Sequence, residues 1–318
     1  MKPSLDIIIV NWNAGVQLQS CLSSIENTVK NCFELNRVVV IDNASTDGSA
    51  DGLEQISLPI EIIRNSENRG FAAACNQGET GSGADYVLFL NPDTRLFLES
   101  LEKAIEYMEE SEHIDVGILG IQLLDDYGRV SRSCARFPSA NQFLSKMLGL
   151  NLLFPNLFID YFMTEWNHMD TREVNHIIGA FYMVRRIVFE ELNSFDERFF
   201  VYLEDLDFSY RASNLSWKII YYADAQAYHK GGGTSEQIKA TRLFYSLRSR
   251  ILYSYKHFSR RAAIAVLLGT LFIEPFSRTI LGLSKLSLTT IGETIKAYKL
   301  LWSDLHNILS HAKKENEL

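Results

Sequence analysis

The chain has 318 residues, 47% hydrophobic and 22% charged, with 18 Gly and 6 Pro. This excludes a disordered, collagen-like or low-complexity chain and allows one large domain, or one domain with an extension. The net charge of −8 divides unevenly: residues 1–234 carry 18 Lys and Arg against 33 Asp and Glu (−15), and residues 235–318 carry 13 against 6 (+7).

After Met1-Lys2-Pro3-Ser4, the run Ile7–Val10 is too short and too closely preceded by Asp6 for a signal-peptide core, and it reads as a buried strand. Val16, Leu18, Cys21, Leu22 and Ile25 then fall at helical spacing. Val38–Ile41 is a second buried run, followed by a helical stretch around Leu53 and Ile56. Ile60–Ile63 is a third, and Phe71–Cys75 opens a helix. Tyr86–Leu90 is a fourth, and Leu98, Leu101, Ile105 and Met108 mark the next helix. Fully apolar strands alternating with helices imply an α/β fold around a parallel sheet covered on both faces. Asp115–Leu124 and Arg129–Ser133 read as strands around an Asp-Asp-Tyr-Gly turn, and residues 151–176 match no clear period. Ile177–Val184 returns as a strand containing Gly179-Ala180. Ile219–Tyr222 and Ala225–Tyr228 are further strand segments, and helices follow Ser235 to the end.

Every early strand ends in polar residues: Asn11-Trp12-Asn13, Asp42 through Gly48, Asn65 through Gly70, and Asn91-Pro92-Asp93. In open α/β sheets ligands bind at the carboxyl ends of the strands, so four such loops on one edge suggest a lined pocket. Neither G-x-G-x-x-G nor a Walker A sequence is present. Asp42 suits a base N–H or ribose hydroxyl, and equally a capped turn. Asn68-Arg69-Gly70 places a guanidinium beside a glycine, either as a phosphate partner or as a solvated side chain. Asp93, held next to a proline, could hold a hard cation against a diphosphate, or simply mark a turn. Glu204, Asp205 and Asp207 crowd together after an aromatic run. Crowding and desolvation raise a carboxylate's pKa and favour general-base work, while a helix N-terminus also favours such acids. His229 precedes Lys230 and three glycines that could let backbone approach a phosphate.

Taken in order, Val10-Asn11-Trp12-Asn13, Ile41-Asp42-Asn43-Ala44-Ser45-Thr46-Asp47-Gly48, Asn68-Arg69-Gly70-Phe71 with Asn76, Asn91-Pro92-Asp93, Glu204-Asp205-Leu206-Asp207 and His229 resemble the family 2 inverting glycosyltransferases, in particular their rhamnosyltransferase-like branch. The resemblance runs from residue 5 to about residue 258. It implies a GT-A (Rossmann-like), mostly parallel sheet flanked by helices. Residues 1–234 would form the catalytic domain, with 1–110 as the nucleotide-binding half and 111–234 as the acceptor half, and 235–318 a helical extension. By this resemblance Asp205 is the catalytic base with Glu204 and Asp207 as supporting acids. Asn11, Asn13, Asp42, Asn68, Arg69, Gly70, Asn76 and Asn91 would meet the nucleotide-sugar, with Asp42 reading its pyrimidine. Asp93 and His229 would hold Mg2+ or Mn2+. Asn91 stands where the family usually has the first Asp of Asp-x-Asp, which removes one charge.

The implied reaction moves a deoxyhexose, L-rhamnose from dTDP-rhamnose, from a dTDP- or UDP-linked donor to a saccharide or polyprenyl-diphosphate-linked acceptor. The alternative is a non-catalytic nucleotide-sugar-binding subunit of a membrane assembly complex, which Asn91 would favour. An acidic body with a basic tail speaks against nucleic acid and for an anionic membrane surface. Cys21, Cys32, Cys75 and Cys134 form no C-x-x-C pair, which fits reduced thiols in the cytoplasm, peripheral to the inner face of the membrane. The apolar run Ala262–Ile273, preceded by Arg260-Arg261 and broken by Glu274-Pro275, falls short of the ~20 residues of a bilayer span and reads as an interfacial helix or a subunit contact in a homo-oligomer.

Overall fold

The computed structural model describes residues 2–231 and 238–313. The boundary expected at residue 234 and the glycines after Gly231 lie outside the described residues. In chain order come β1 (Ser4–Asn11), α1 (Val16–Glu26), β2 (Glu34–Asp42), β3 (Ile60–Arg64), α2 (Phe71–Glu79), β4 (Tyr86–Leu90) and β5 (Thr94–Leu96). Next are α3 (Ser100–Glu109), β6 (Val116–Leu124), β7 (Cys134–Ala135), α4 (Ala140–Met147), α5 (Leu150–Leu153), β8 (Arg172–Glu173) and β9 (His176–Ile177). Then follow β10 (Phe181–Arg185), α6 (Arg186–Glu191), α7 (Glu204–Asn214), β11 (Lys218–His229), α8 (Lys239–His257), α9 (Arg260–Leu268), α10 (Glu274–Ser284) and α11 (Leu288–Lys313).

The main sheet runs β3-β2-β1-β4-β10-β6-β11-β5, with β8 pairing on β11. Side chains of a strand alternate between faces, so each buried strand feeds two cores. Ile7, Ile9, Val38, Val40 and Leu88 pack with Leu18, Cys21, Leu22, Leu101 and Ile105 from α1 and α3. Ile8, Val10, Val39, Ile41 and Phe89 pack on the other face with residues of α2, α6 and α7. Helix α2 approaches so closely that a Cβ at Gly78 would sit 2.7 Å from Ile8 Cγ2, so only glycine fits there.

β1, β2, β3 and β4 pair in parallel, as does β6 with β11. Against the expected parallel sheet, β10 is antiparallel to both β4 and β6, and β5 is antiparallel to β11, so the sheet is mixed. The expected strand Ile177–Val184 is split, because Gly179-Ala180 leaves the ladder between β9 and β10. The stretch around Leu53 and Ile56 is only a single 3-10 turn, Leu53–Gln55, entered through left-handed Gly52 and soon followed by Pro59. Arg129–Ser133 makes one bridge, Val130 to Leu124, because Asp125 closes a tight turn on Arg129. The two segments expected from 219 to 228 are one strand, β11, interrupted by an irregularity. Tyr222 pairs Ile121 and Gln226 pairs Gln122, so three extra residues bulge out. Short β5 intervenes between Asp93 and the helix expected at Leu98, which lies outside α3.

The described residues fall into two compact units. One comprises 2–136, 162–197 and 204–231 and holds the sheet. The other comprises 137–161, 198–203 and 238–313, so α4, α5 and a six-residue excursion before α7 group with the tail rather than with the sheet. Within this second unit, Ser249 donates to the Val201 carbonyl at 2.8 Å and Ser277 Oγ to the Met147 carbonyl. α9, a π-helical turn Gly269–Ile273 and α10 form one unbroken helical run of 25 residues. The expected break at Glu274-Pro275 is therefore absent: the helix continues through the proline, and the widened π turn that ends at Ile273 relieves the clash of its ring with the preceding turn. By length and composition this run could cross a membrane.

Candidate active site

The ends of β1 and β2 form one buried polar network. Asn11 is fully buried, and the two hydrogens of its Nδ2 are shared among Asp42 Oδ1 at 3.2 Å, Ser45 Oγ at 3.0 Å and Ser49 Oγ at 2.9 Å. Asp42 also accepts from the Ser45 N–H and pairs with Arg64 at 3.3 Å. Asn13 has a left-handed backbone, φ 52, and its Oδ1 accepts from the Thr46 N–H at 2.8 Å. Asn43 was not among the expected site residues, yet it organises the next loop. Its Oδ1 accepts from the Arg69 N–H at 3.0 Å, and its Nδ2 donates to Asn68 Oδ1 at 2.9 Å. Asn68 in turn accepts from the Gly70 N–H at 2.9 Å. Gly70 sits at φ 87 and starts α2, a conformation that favours glycine. The loop is thus held by its asparagines while the Arg69 side chain projects, exposed.

Asn76 is placed apart from this edge. Its amide brackets the Phe195 backbone, accepting from the N–H at 3.0 Å and donating to the carbonyl at 2.9 Å, with Glu197 as a further partner. It braces α2 against the loop before α7. Asp207 is fully buried and pairs with Arg211 at 2.8 Å.

Asp93 and His229, 136 positions apart in sequence, are brought together because β5 pairs antiparallel with the end of β11, His229 opposite Thr94. Asp93 Oδ1 lies 3.3 Å from His229 Nε2, and both side chains are nine-tenths buried. A carboxylate oxygen and an imidazole nitrogen converging this closely fit one divalent cation, with positions left for diphosphate oxygens. Cys21, whose Sγ lies 3.7 Å from the Asn91 carbonyl, is no competitor, because burial and then Asp93 push its thiol far up and keep it protonated.

Asp205 opens α7 and faces the break between β9 and β10. Its Oδ2 accepts from the Gly179 N–H and its Oδ1 from the Leu206 N–H, each at 2.8 Å. His176 Nε2 stands 3.7 Å from Oδ2, and its Nδ1 meets Ser209 Oγ at 3.0 Å, which meets Tyr182 Oη at 2.7 Å. Burial holds the His176 imidazole below its ordinary range, only partly opposed by Asp205. Glu204 is almost fully buried with Oε2 unpartnered among the described residues, and burial, then Asp205, push its carboxyl well above the usual range.

The two halves meet through Gly179-Ala180. Gly179 holds Asp205, while the Ala180 carbonyl accepts from the Asn91 N–H at 3.0 Å and from Thr94 Oγ1 at 3.2 Å, on either side of Asp93. Asp205 and the Asp93–His229 pair therefore share one backbone support. A separate cleft of about 790 Å3 opens at the far edge, where β1 and β4 begin. Among its polar groups, Ser4 pairs with Asp85 and Arg186 with Glu190.

Known proteins resemble this chain in sequence and in fold. An N-acetylglucosaminyl-diphospho-decaprenol L-rhamnosyltransferase from Mycobacterium tuberculosis is 26% identical over 270 residues, covering 80% of this chain and 84% of that protein. The rhamnosyltransferase WbbL from Escherichia coli is 28% identical over 174 residues, 53% of this chain and 61% of that one. The solved mannosyltransferase PcManGT from Pyrobaculum calidifontis, in complex with GDP-Man and Mn2+, superposes with a TM-score of 0.54 at 16% identity, over 99% of this chain and 87% of that one. The fold is that of the GT-A glycosyltransferases. The model of glycosyl transferase family 2 matches residues 6–192, which include Asp42 and Asp93 and stop short of Asp205 and His229, and the chain belongs to that family.

Proposed function

We propose that the protein is an inverting glycosyltransferase that moves a deoxyhexose, L-rhamnose from dTDP-rhamnose, onto a lipid-linked or cell-surface saccharide. The observation that carries the reading is the shared support of Asp205 and the Asp93–His229 pair on Gly179-Ala180. The relative named for transfer of L-rhamnose to a decaprenol-linked acceptor supports the choice of sugar and acceptor.

In this reading the acceptor hydroxyl gives its proton to Asp205 as it attacks the anomeric carbon. The Gly179 and Leu206 N–H groups hold the carboxylate in place, and His176 faces its Oδ2. The diphosphate leaves from the opposite face of the sugar, so one displacement inverts the anomeric centre and no side chain forms a covalent intermediate. Asp93 and His229 would hold Mn2+ in preference to Mg2+, since imidazole is a poor ligand for magnesium. Such a cation supplies neutralisation of the diphosphate's developing charge. Arg69 adds a fork-shaped cation at the neighbouring loop. Asn11, Asn13, Asp42 and Asn68 shape the nucleotide edge through their mutual bonds, and Asn91 lies between the halves. The enzyme would work in the cytoplasm, peripheral to the inner face of the membrane where a polyprenyl-linked acceptor resides.

A panel of nucleotide sugars tests this by protection against thermal unfolding, followed by NMR of the product's anomeric configuration. dTDP-rhamnose should protect most and the product should be inverted. Retained configuration would overturn the mechanism, and binding with no turnover on any polyprenyl-linked saccharide would favour the non-catalytic subunit that Asn91 suggests.

A further inference from the structure

We infer that the outward face of the helical run Arg260–Ser284 docks in the plane of an anionic lipid bilayer without crossing it; the inference deepens the peripheral-membrane reading above and rests on it. Five large apolar side chains recur every fourth residue and stand open: Ile264 (39% exposed), Leu268 (49%), Phe272 (53%), Phe276 (70%) and Ile280 (66%). In a regular α-helix each fourth residue advances about 40° beyond a full turn, so such a stripe would wind around the axis. The wider π turn at Gly269–Ile273 takes up part of that excess and keeps the stripe on one side.

The opposite side is built differently. Ala263, Val266, Thr270 and Glu274 are buried within the tail unit, and the Glu274 carboxylate is held by Arg250 of α8 and by Arg278. A spanning helix would carry this buried ion cluster to mid-bilayer, where ionised groups are costly. An in-plane helix leaves it inside the protein. Cations rim the apolar stripe: Arg260 and Arg261 are exposed at its start and Lys285 just beyond its end. From residue 260 to 302 there are six Lys and Arg against two acids, one of them the buried Glu274. Trp302, half exposed on α11, meets Phe272 edge-on at 5.7 Å and so sets beside the stripe a residue type enriched at membrane boundaries. The charge also chooses the occupant. A two-fold contact with a second copy would set basic rim against basic rim, whereas lipid phosphates pair with both.

Flotation of the full chain with vesicles tests this, using phosphatidylcholine alone or mixed with phosphatidylglycerol, at low and high salt. Binding should need phosphatidylglycerol and weaken about tenfold or more at high salt. Phe276→Asp, at a 70% exposed position, should leave thermal unfolding unaltered, and Phe272→Asp should cost only its contact with Trp302, yet each should lower vesicle affinity about tenfold. Arg260→Glu with Arg261→Glu should remove most of the salt dependence. Absence of flotation on anionic vesicles, or a dimer in sedimentation equilibrium that Phe276→Asp dissolves, would overturn the inference. Resistance to alkaline carbonate would overturn it in favour of a span. Turnover on a water-soluble acceptor, unchanged in the phenylalanine variants, keeps this outcome separate from failure of the transferase reading.

Discussion

Gly179→Ala probes the support of the base without removing it. A Cβ built on Gly179 lies 3.2 Å from Asp205 Oδ2, closer than comfortable van der Waals contact, while the Gly179 N–H donates to the same oxygen at 2.8 Å. The backbone is anchored on its other side by Ala180, so the carboxylate must yield by a few tenths of an ångström. A hydrogen bond to a charged group is worth about 1.5–3 kcal/mol, and stretching it forfeits part of that, about 1 kcal/mol. A misplacement of ~1 Å costs about a hundredfold in rate, so a third of that should cost about fivefold. Together the two effects predict a fall in kcat of about five- to thirtyfold. Donor affinity should hold, because the Asp93–His229 pair and the β1–β2 network do not touch the added methyl. Steady-state kinetics with donor and acceptor varied separately, beside calorimetric donor binding, measure both. A kcat within twofold of wild type would refute the claim that Gly179 positions the base, and an equal loss of donor affinity would mean the methyl disturbs the whole edge.

Asp205→Asn should lower kcat by ~10²–10⁴ while donor binding persists, and more than a tenth of wild-type turnover would remove Asp205 from the role of base. Asp93→Ala should weaken donor binding in Mn2+ and leave the weaker metal-free binding nearly unchanged, read by calorimetry with and without chelator; full activity in excess chelator would refute a metal requirement and leave Arg69 and Lys230 as the cationic groups. Glu204→Gln concerns stability: the folded state raises this carboxyl, so its contribution is full below the unfolded value of about 4.3 and is lost as pH rises. The variant should therefore melt higher than wild type near pH 8 and converge with it near pH 4.5, and parallel melting curves across that range would show that Glu204 is charged in the fold.

The first half of the sheet was legible because β1, β2 and β4 are buried on both faces and read as unbroken apolar runs. The second half was not, because strand direction there is set by distant partners: nothing local in Phe181–Arg185 says that it runs against both β4 and β6. The strand ends were visible as clusters of Asn and Asp, but which side chains bond inward was not, and the partners of Asn76 and Asp207, Phe195 and Arg211, had no signal in the sequence. His176 had no signal at all. It is one of two histidines, with His168, in a segment without period, and it reaches Asp205 only because β9 pairs with β7 and turns beside α7.

The bulge in β11 makes ligand choice a matter of counting. Between Tyr222 and Gln226 the strand advances four residues while β6 advances one, so Ala223, Asp224 and Ala225 are surplus. Side chains alternate with period two, so an odd surplus exchanges the faces of everything downstream. His229 points toward Asp93 under that parity. Deleting any one of the three surplus residues, with the pairing upstream kept, would draw the strand back by one and set Lys230 in place of His229 opposite Thr94 and beside Asp93. A change of one residue in loop length, far from the site and innocuous in composition, would thus silence the centre as thoroughly as replacing the histidine, and alignments of related chains should be read for the length of this segment as carefully as for the histidine itself.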